Sequence, residues 1–389
     1  MSDRHDIDRL FIAGAWRAAR GLPRPLIAPA TELQLATICD ASNADVDDAV
    51  DAAVSRAPHW AALDPRERAV FVAAIGECLA ERADELAREF ANEIGTPIAE
   101  ARRLQVELAV SAFRQAPALA AVVGATEQLD RSIVRRVPIG VAACITPWNY
   151  PLYQAATKIV PALLAGVPVI LKPSEIAPLS IVALAQAATD AGLPPGALNI
   201  VFGAGAQIGA HLAAHPGIDV VSFTGSTATG RRVAGLAGSL LKKVSLELGG
   251  KSASVVLEDA DLPRAVGRTL EKCYQNAGQT CAALTRLLVP RSRLSLALEL
   301  AGSLAAAYRV GDPCDPRTRL GPVISAAQRT QVTGMIQRAL DGGAALVTGG
   351  PERPAGITRG YFVAPTVLAI ERASMEVARE EVFGPVLTI

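Results

Sequence analysis

A chain of 389 residues, half of them hydrophobic, is long enough for two or three domains and a large core. Lysine plus arginine equals aspartate plus glutamate at 38 each, which excludes the basic excess that a nucleic-acid or membrane-surface partner requires. Residues 1–10 are charged with no apolar signal core, and the longest apolar run, 159–171, is too short and too broken by Pro161, Gly166 and Pro168 to span a bilayer.

The first third predicts helices. One covers about 45–57. A longer one starts at Asp64-Pro65-Arg66-Glu67, where an N-cap acid, a proline at the first position and a following glutamate favour initiation, and it runs to Ile94, where Gly95 and Pro97 end it. From Val137 short apolar runs at 141–146, 168–171, 198–202 and 220–224 alternate with helical patterns at 151–164, 178–190, 207–214 and 227–237. That alternation means a parallel sheet with crossover helices, whose ligands lie at the carboxyl ends of the strands. Trp148-Asn149, Lys172-Pro173-Ser174-Glu175 and Gly225-Ser226 fall just beyond strand ends and are expected to line one crevice. After Lys251 a second α/β pattern begins, with strands near 253–257 and 286–289, and 386–389 reads as a strand that stops in mid-course.

The six cysteines are Cys39, Cys78, Cys144, Cys273, Cys281 and Cys314. They show no CxxC spacing, so reduced thiols in a cytoplasmic setting are expected, with burial as the ordinary role. Cys281 departs from that role. It ends the small-residue run Asn276-Ala277-Gly278-Gln279-Thr280, which can present a thiol at a cleft. Glu247 stands 34 positions upstream at the start of a Gly-Gly turn. A thiol and a carboxylate are the minimum for attacking a carbonyl and hydrolysing the adduct.

Lys172 and Glu175 at a strand end can grip the two hydroxyls of an adenosine ribose, and a carboxylate there repels a 2′-phosphate, favouring NAD over NADP. Gly203-Ala204-Gly205-Ala206-Gln207-Ile208-Gly209 has GxGxxxG spacing after a late strand and reads as a plain strand-to-helix turn. Gly225-Ser226-Thr227-Ala228-Thr229-Gly230 is followed by Arg231 and is no triphosphate loop, but it can set a helix N-terminus against a pyrophosphate. His211 and His215, spaced i,i+4 without the glutamate of HExxH, are expected on a solvated helix face, and no metal site is expected.

Taken together, the segments resemble the aldehyde dehydrogenase superfamily. The motifs are, in order, Ile145-Thr146-Pro147-Trp148-Asn149-Tyr150-Pro151, Lys172-Pro173-Ser174-Glu175, Phe223-Thr224-Gly225-Ser226, Leu246-Glu247-Leu248-Gly249-Gly250-Lys251, Gly278-Gln279-Thr280-Cys281 and Glu380-Glu381-Val382-Phe383-Gly384-Pro385. The resemblance implies an α/β fold. A Rossmann-like parallel-sheet NAD-binding domain would span 1–129 and 138–250, part of an oligomerisation hairpin 130–137, and a catalytic domain 251–389. It implies oxidation of an aldehyde to a carboxylic acid through a cysteine thiohemiacetal and thioester. Cys281 would be the nucleophile, Asn149 the oxyanion donor, Glu247 the base that activates water, and Lys158 part of a proton relay. Trp148, Lys172, Glu175, Gly225, Ser226, Glu381 and Phe383 would contact NAD. Glu247 also favours water over coenzyme A as the acyl acceptor.

The resembled family continues past the Glu-Glu-Val-Phe-Gly-Pro motif, so an incomplete catalytic domain is expected here. The hairpin's partner strand would then be absent, and the homo-oligomer usual in the family would be weakened. A catalytically silent NAD-binding or assembly fragment and a cofactor-free thiol esterase are the competing expectations. Tyr150, Tyr153, Gln154 and Thr280 are expected along the aldehyde tunnel, less greasy than long alkanals would want.

Overall fold

The alternating apolar runs condense, in a computed structural model describing residues 6–124 and 126–389, into a seven-stranded sheet. Its strands are β1 (Arg9–Ile12), β2 (Ala15–Ala18), β3 (Ala142–Ile145), β4 (Val169–Lys172), β5 (Leu198–Ile200), β6 (Val220–Thr224) and β7 (Lys243–Glu247). Their spatial order is β7-β6-β3-β4-β5-β1-β2. Neighbours from β7 to β5 are parallel, and β1 runs antiparallel to both β5 and β2. Helices Pro151–Leu164, Leu179–Asp190, Ala210–Ala214 and Thr227–Gly238 make the crossovers. Every residue of β3 and β4 is buried, as expected of parallel strands covered on both faces.

The chain lays down β3, β4 and β5 in one direction and then returns to the other side of β3 for β6 and β7. The reversal puts the topological switch point between β3 and β6, the place where open α/β sheets hold ligands beyond their carboxyl ends. This sheet belongs to a compact unit made of residues up to Leu26, Gln34–Glu89 and Arg102–Leu248.

Local signals explain the helices. Asp64 accepts from the Arg66 N–H while Glu67 accepts from the Asp64 N–H, a complete capping box before Pro65–Glu81. The expected single helix to Ile94 is instead two, Pro65–Glu81 and Ala83–Glu93, because Arg82 leaves helical geometry at φ −102°, ψ 16°. The helix expected over 45–57 runs from Asn43 to Ala62. A second capping box, Ser42 with Asp45, starts it earlier, and Pro58 is accommodated within it. A hairpin of Glu127–Leu129 with Ser132–Val134 is exposed at each strand residue.

A second compact unit gathers Ile27–Leu33, Phe90–Ala101 and Gly249–Ile389. Its five strands are β8 (Ala253–Val255), β9 (Arg286–Leu288), β10 (Ala345–Thr348), β11 (Thr366–Ala369) and β12 (Val386–Thr388), in the order β8-β9-β12-β11-β10. The strand read as stopping in mid-course, β12, lies at the centre with parallel partners on both sides. Leu270, Tyr274, Leu287, Ile336, Val367 and Leu387 belong to its core, where the Tyr274 hydroxyl donates to the Thr366 carbonyl at 2.9 Å. Among the described residues no helix is long and apolar enough to cross a membrane.

Candidate active site

In the first unit, pairing register decides what meets at the sheet's carboxyl edge. Ile145 is paired with Lys172 on one side and Phe223 on the other, and Thr224 is paired with Glu247. Asn149, Lys172, Ser226 and Glu247 therefore all stand at or just past the same edge, on four adjacent strands. Thr146 and Thr224, at the ends of β3 and β6, carry buried hydroxyls with no hydrogen-bond partner.

Asn149 is 3% exposed, and its main-chain carbonyl accepts from Gln105 Nε2 at 2.9 Å. Trp148 beside it is half-buried. Gly225 donates its N–H to the Glu247 carbonyl at 3.0 Å, and a Cβ at Gly225 would lie 2.6 Å from the Phe223 ring. Ser226 then caps Thr227–Gly238, accepting from the Thr229 N–H at 3.3 Å, so an exposed helix N-terminus faces the edge.

Lys172 is buried, and its ammonium donates to the Pro173 carbonyl at 2.7 Å and to Glu175 Oε2 at 3.2 Å. Burial pushes this lysine down, with Glu175 pulling it partly back. Burial alone would raise the Glu175 carboxyl, but Lys172 and the N–H groups of Glu175 and Gly205 outweigh it and hold the acid below its usual range. The Gly205 N–H reaches Glu175 Oε1 at 3.4 Å from a π-helical turn, Gly205–Gly209. The glycine run read as a plain turn thus braces the acid.

Lys158 donates to Ser222 Oγ at 3.0 Å. Burial carries its ammonium down, and the neighbouring Cys144 and Glu247 oppose that shift. Glu247 is itself exposed, as the last residue of β7.

In the second unit, Asn276, Ala277 and Gly278 are consecutively left-handed, at φ 52°, 56° and 75°. Such a turn is strained for alanine and natural for glycine. It is held from its flanks. Thr96 Oγ1 donates to Asn276 Oδ1 at 2.7 Å, Gln279 Nε2 donates to the Asn276 carbonyl at 3.1 Å, and the Ile324 N–H donates to Gln279 Oε1 at 2.8 Å. A Cβ at Gly278 would sit 2.0 Å from the Gly384 carbonyl oxygen. The product of this clamp is an exposed Cys281. By contrast, burial pushes the Cys144 and Cys273 thiols up to about 12, well out of reach of nucleophilic chemistry.

Glu381 packs against the Gly249-Gly250-Lys251 turn, and a Cβ at Gly249 would lie 2.1 Å from its Oε2. Burial raises the Glu381 carboxyl, and the Gly250 N–H and Lys251 partly offset this. Lys251 has a buried ammonium with no hydrogen-bond partner and falls to about 8 through burial. Phe383 adopts φ 56°, and its carbonyl accepts from Gln328 Nε2 at 3.0 Å.

Sequence reading missed the supporting residues. Gln105, Thr96, Ser222 and Gln328 lie in ordinary helix, strand and loop text with no local motif, and only the fold brings them to their partners.

The aldehyde dehydrogenase family pattern matches residues 16–389. A 3-succinoylsemialdehyde-pyridine dehydrogenase of Pseudomonas sp is 40% identical over 386 residues, covering 99% of this chain and 81% of that protein. A peroxisomal aminoaldehyde dehydrogenase of Pisum sativum is 41% identical, covering 98% of this chain and 78% of that one. The crystal structure of a mutant aldehyde dehydrogenase C from Pseudomonas syringae, in complex with NAD+ and octanal, matches with a TM-score of 0.97 at 43% identity, over 100% of this chain and 80% of that one. The chain belongs to the aldehyde dehydrogenase family and is an oxidoreductase that acts on aldehydes with NAD.

Proposed function

We propose that Cys281 is the nucleophile of this oxidation, Asn149 the oxyanion donor and Glu247 the base for hydrolysis, with Lys172, Glu175, Gly225 and Ser226 holding the cofactor. The observation that supports this reading best is the convergence of Asn149, Lys172, Ser226 and Glu247 on one sheet edge. The same edge fits a dinucleotide. A capped helix N-terminus offers N–H groups to a pyrophosphate, and the Lys172–Glu175 pair offers a donor and an acceptor to ribose hydroxyls. Trp148 would wall the cofactor, and Glu381 and Phe383 would serve its nicotinamide side.

In this scheme the Cys281 thiolate adds to the aldehyde carbon, and the carbonyl oxygen becomes an oxyanion. The Asn149 amide donates to that oxyanion together with the Cys281 main-chain N–H. NAD, when bound, supplies the hydride acceptor. Loss of hydride from the adduct carbon leaves an acyl thioester on Cys281. Glu247 takes a proton from water, the water oxygen bonds to the acyl carbon, and the C–S bond breaks to release the acid and restore the thiol. Lys158, beside Glu247's charge and bonded to Ser222, fits a relay for that proton. We also infer that the exposed hairpin 127–134 serves self-association, and that Tyr150, Tyr153, Gln154 and Thr280 line the aldehyde path.

The test is NADH formation by the full chain with NAD and a panel of aldehydes that includes octanal, aromatic aldehydes and aminoaldehydes. Asn149→Ala is expected to lower kcat roughly a hundredfold or more with a smaller effect on KM, as loss of an oxyanion donor does. An unchanged kcat would remove Asn149 from the reaction. Within the panel, polar and aromatic aldehydes are expected to give higher kcat/KM than long alkanals, and the reverse order would refute the tunnel reading.

Glu175→Ser is expected to narrow the preference for NAD over NADP by about tenfold or more in kcat/KM, since it removes the carboxylate that repels a 2′-phosphate. A parent chain that already prefers NADP would sink this assignment.

A further inference from the structure

The fold brings Asp47 to His211 and His215, across 164 residues of sequence in the case of the His211 pair. The two histidines alone looked like one solvated face of a short helix. With the aspartate added they become three donors of two chemical kinds. Asp47 Oδ1 lies 2.7 Å from His211 Nε2 and 3.3 Å from His215 Nε2, and one ligand atom from each residue falls within 4.8 Å of the others. We propose that Asp47, His211 and His215 form a site for a divalent transition ion of the Zn2+ class, clamping the helix Asn43–Ala62 to the helix Ala210–Ala214.

The dimensions fit. Donors held tetrahedrally at about 2.0–2.2 Å from zinc stand roughly 3.3–3.5 Å apart. The Asp47–His215 spacing already matches, and the Asp47–His211 spacing must open by roughly 0.6 Å, within a rotation of the exposed Asp47 side chain. Two imidazoles and a carboxylate are a set that borderline ions accept, with a remaining position for water. The side chains are 49%, 30% and 14% exposed for Asp47, His211 and His215, so an ion can enter from solvent.

Asp47 Oδ1 sits against both imidazole Nε2 atoms. His215 Nδ1 accepts from the Gly217 N–H at 3.1 Å, which orients the ring and places the neutral tautomer's proton on Nε2. Coordination through Nε2 moves that proton to Nδ1 and breaks the Gly217 bond, a loss of roughly fivefold in affinity for one neutral hydrogen bond. Lys242, which donates to the His215 carbonyl, adds positive charge nearby, and Asp51, one turn after Asp47, opposes it. These terms set the expected affinity in the micromolar range, below that of a closed structural zinc site.

The experiment titrates Zn2+ into the chelator-dialysed full chain carrying Cys281→Ala, so that the exposed thiol does not compete, and reads heat and the unfolding midpoint. One equivalent is expected to bind with a micromolar Kd and to raise the midpoint. Asp47→Asn, His211→Asn and His215→Asn are each expected to weaken binding about tenfold or more and to abolish the midpoint rise. Midpoints without metal show whether each variant still folds. Co2+ absorption of the parent gives an answer independent of the variants. Ligand-field bands without thiolate-to-cobalt charge transfer are expected, and charge transfer would assign the ion to a cysteine and overturn the proposal. Binding no tighter than millimolar, or unchanged by all three substitutions, would overturn it as well.

Discussion

Cys281→Ala is expected to give a chain that folds like the parent and forms no measurable NADH from any aldehyde, a loss of at least ~10⁴-fold in turnover. The size follows from the proposed role, because no adduct and no thioester can form without the sulfur. The stability should barely move, because Cys281 is exposed and surface substitutions stay within about 0.5 kcal/mol. Cys314 is the necessary control. It is also exposed, but its thiol donates toward Asn92 Oδ1 at 3.5 Å, and burial raises it. Cys314→Ala is expected to keep full activity. The measurement is steady-state NADH formation with parallel thermal unfolding. If Cys281→Ala retained turnover within about tenfold of the parent, the nucleophile would lie elsewhere.

Glu247→Gln is expected to separate the two halves of the reaction. Glutamine keeps the shape and one acceptor oxygen but cannot take a proton from water. Thiohemiacetal formation and hydride loss should continue, so mixing enzyme with aldehyde and NAD should release one rapid equivalent of NADH per active chain. Steady-state turnover should then fall by roughly 10²–10⁴-fold as the thioester waits for hydrolysis. Rapid-mixing absorbance reads the burst, and acid quench with mass analysis reads an acyl group on Cys281. A slow phase as fast as the parent's would show that another group activates water. Lys158, bonded to Ser222 and within the electrostatic reach of Glu247, would be the next residue to change.

Much of the fold was legible because its signals are local. The capping box at Asp64–Glu67 fixes a helix start from four residues, and the prediction and the structure agree there. The all-apolar runs of β3 and β4 admit few states except a buried parallel strand. The helix Pro151–Leu164 begins and ends where its proline and its apolar period say it should. Local text failed where packing sets the outcome. β7 reads Lys-Val-Ser-Leu-Glu, with only two apolar residues on one face, and becomes a strand because β6 supplies hydrogen bonds along its length. β1 and β2 were missed for the same reason, since four residues carry too little period to register. The segments 27–33 and 90–101 group with the C-terminal unit, which no composition shift announces.

The sequence alone determined the chemistry available to this protein. Its motifs carry a thiol, an amide, a carboxylate and a lysine–glutamate pair, because each depends on a residue type at a fixed spacing along one short stretch. Tertiary structure decided what surrounds them. It set Gln105 under the Asn149 backbone, pinned the left-handed Asn276–Gly278 turn with Thr96, joined Glu175 to Gly205, and delivered Asp47 to a pair of histidines that looked idle. The physical reason is the same throughout. A backbone turn, a cap or an apolar period is an energy minimum that a few neighbouring residues specify together. A hydrogen bond between residues a hundred positions apart exists only after the sheet register and helix packing have fixed both ends.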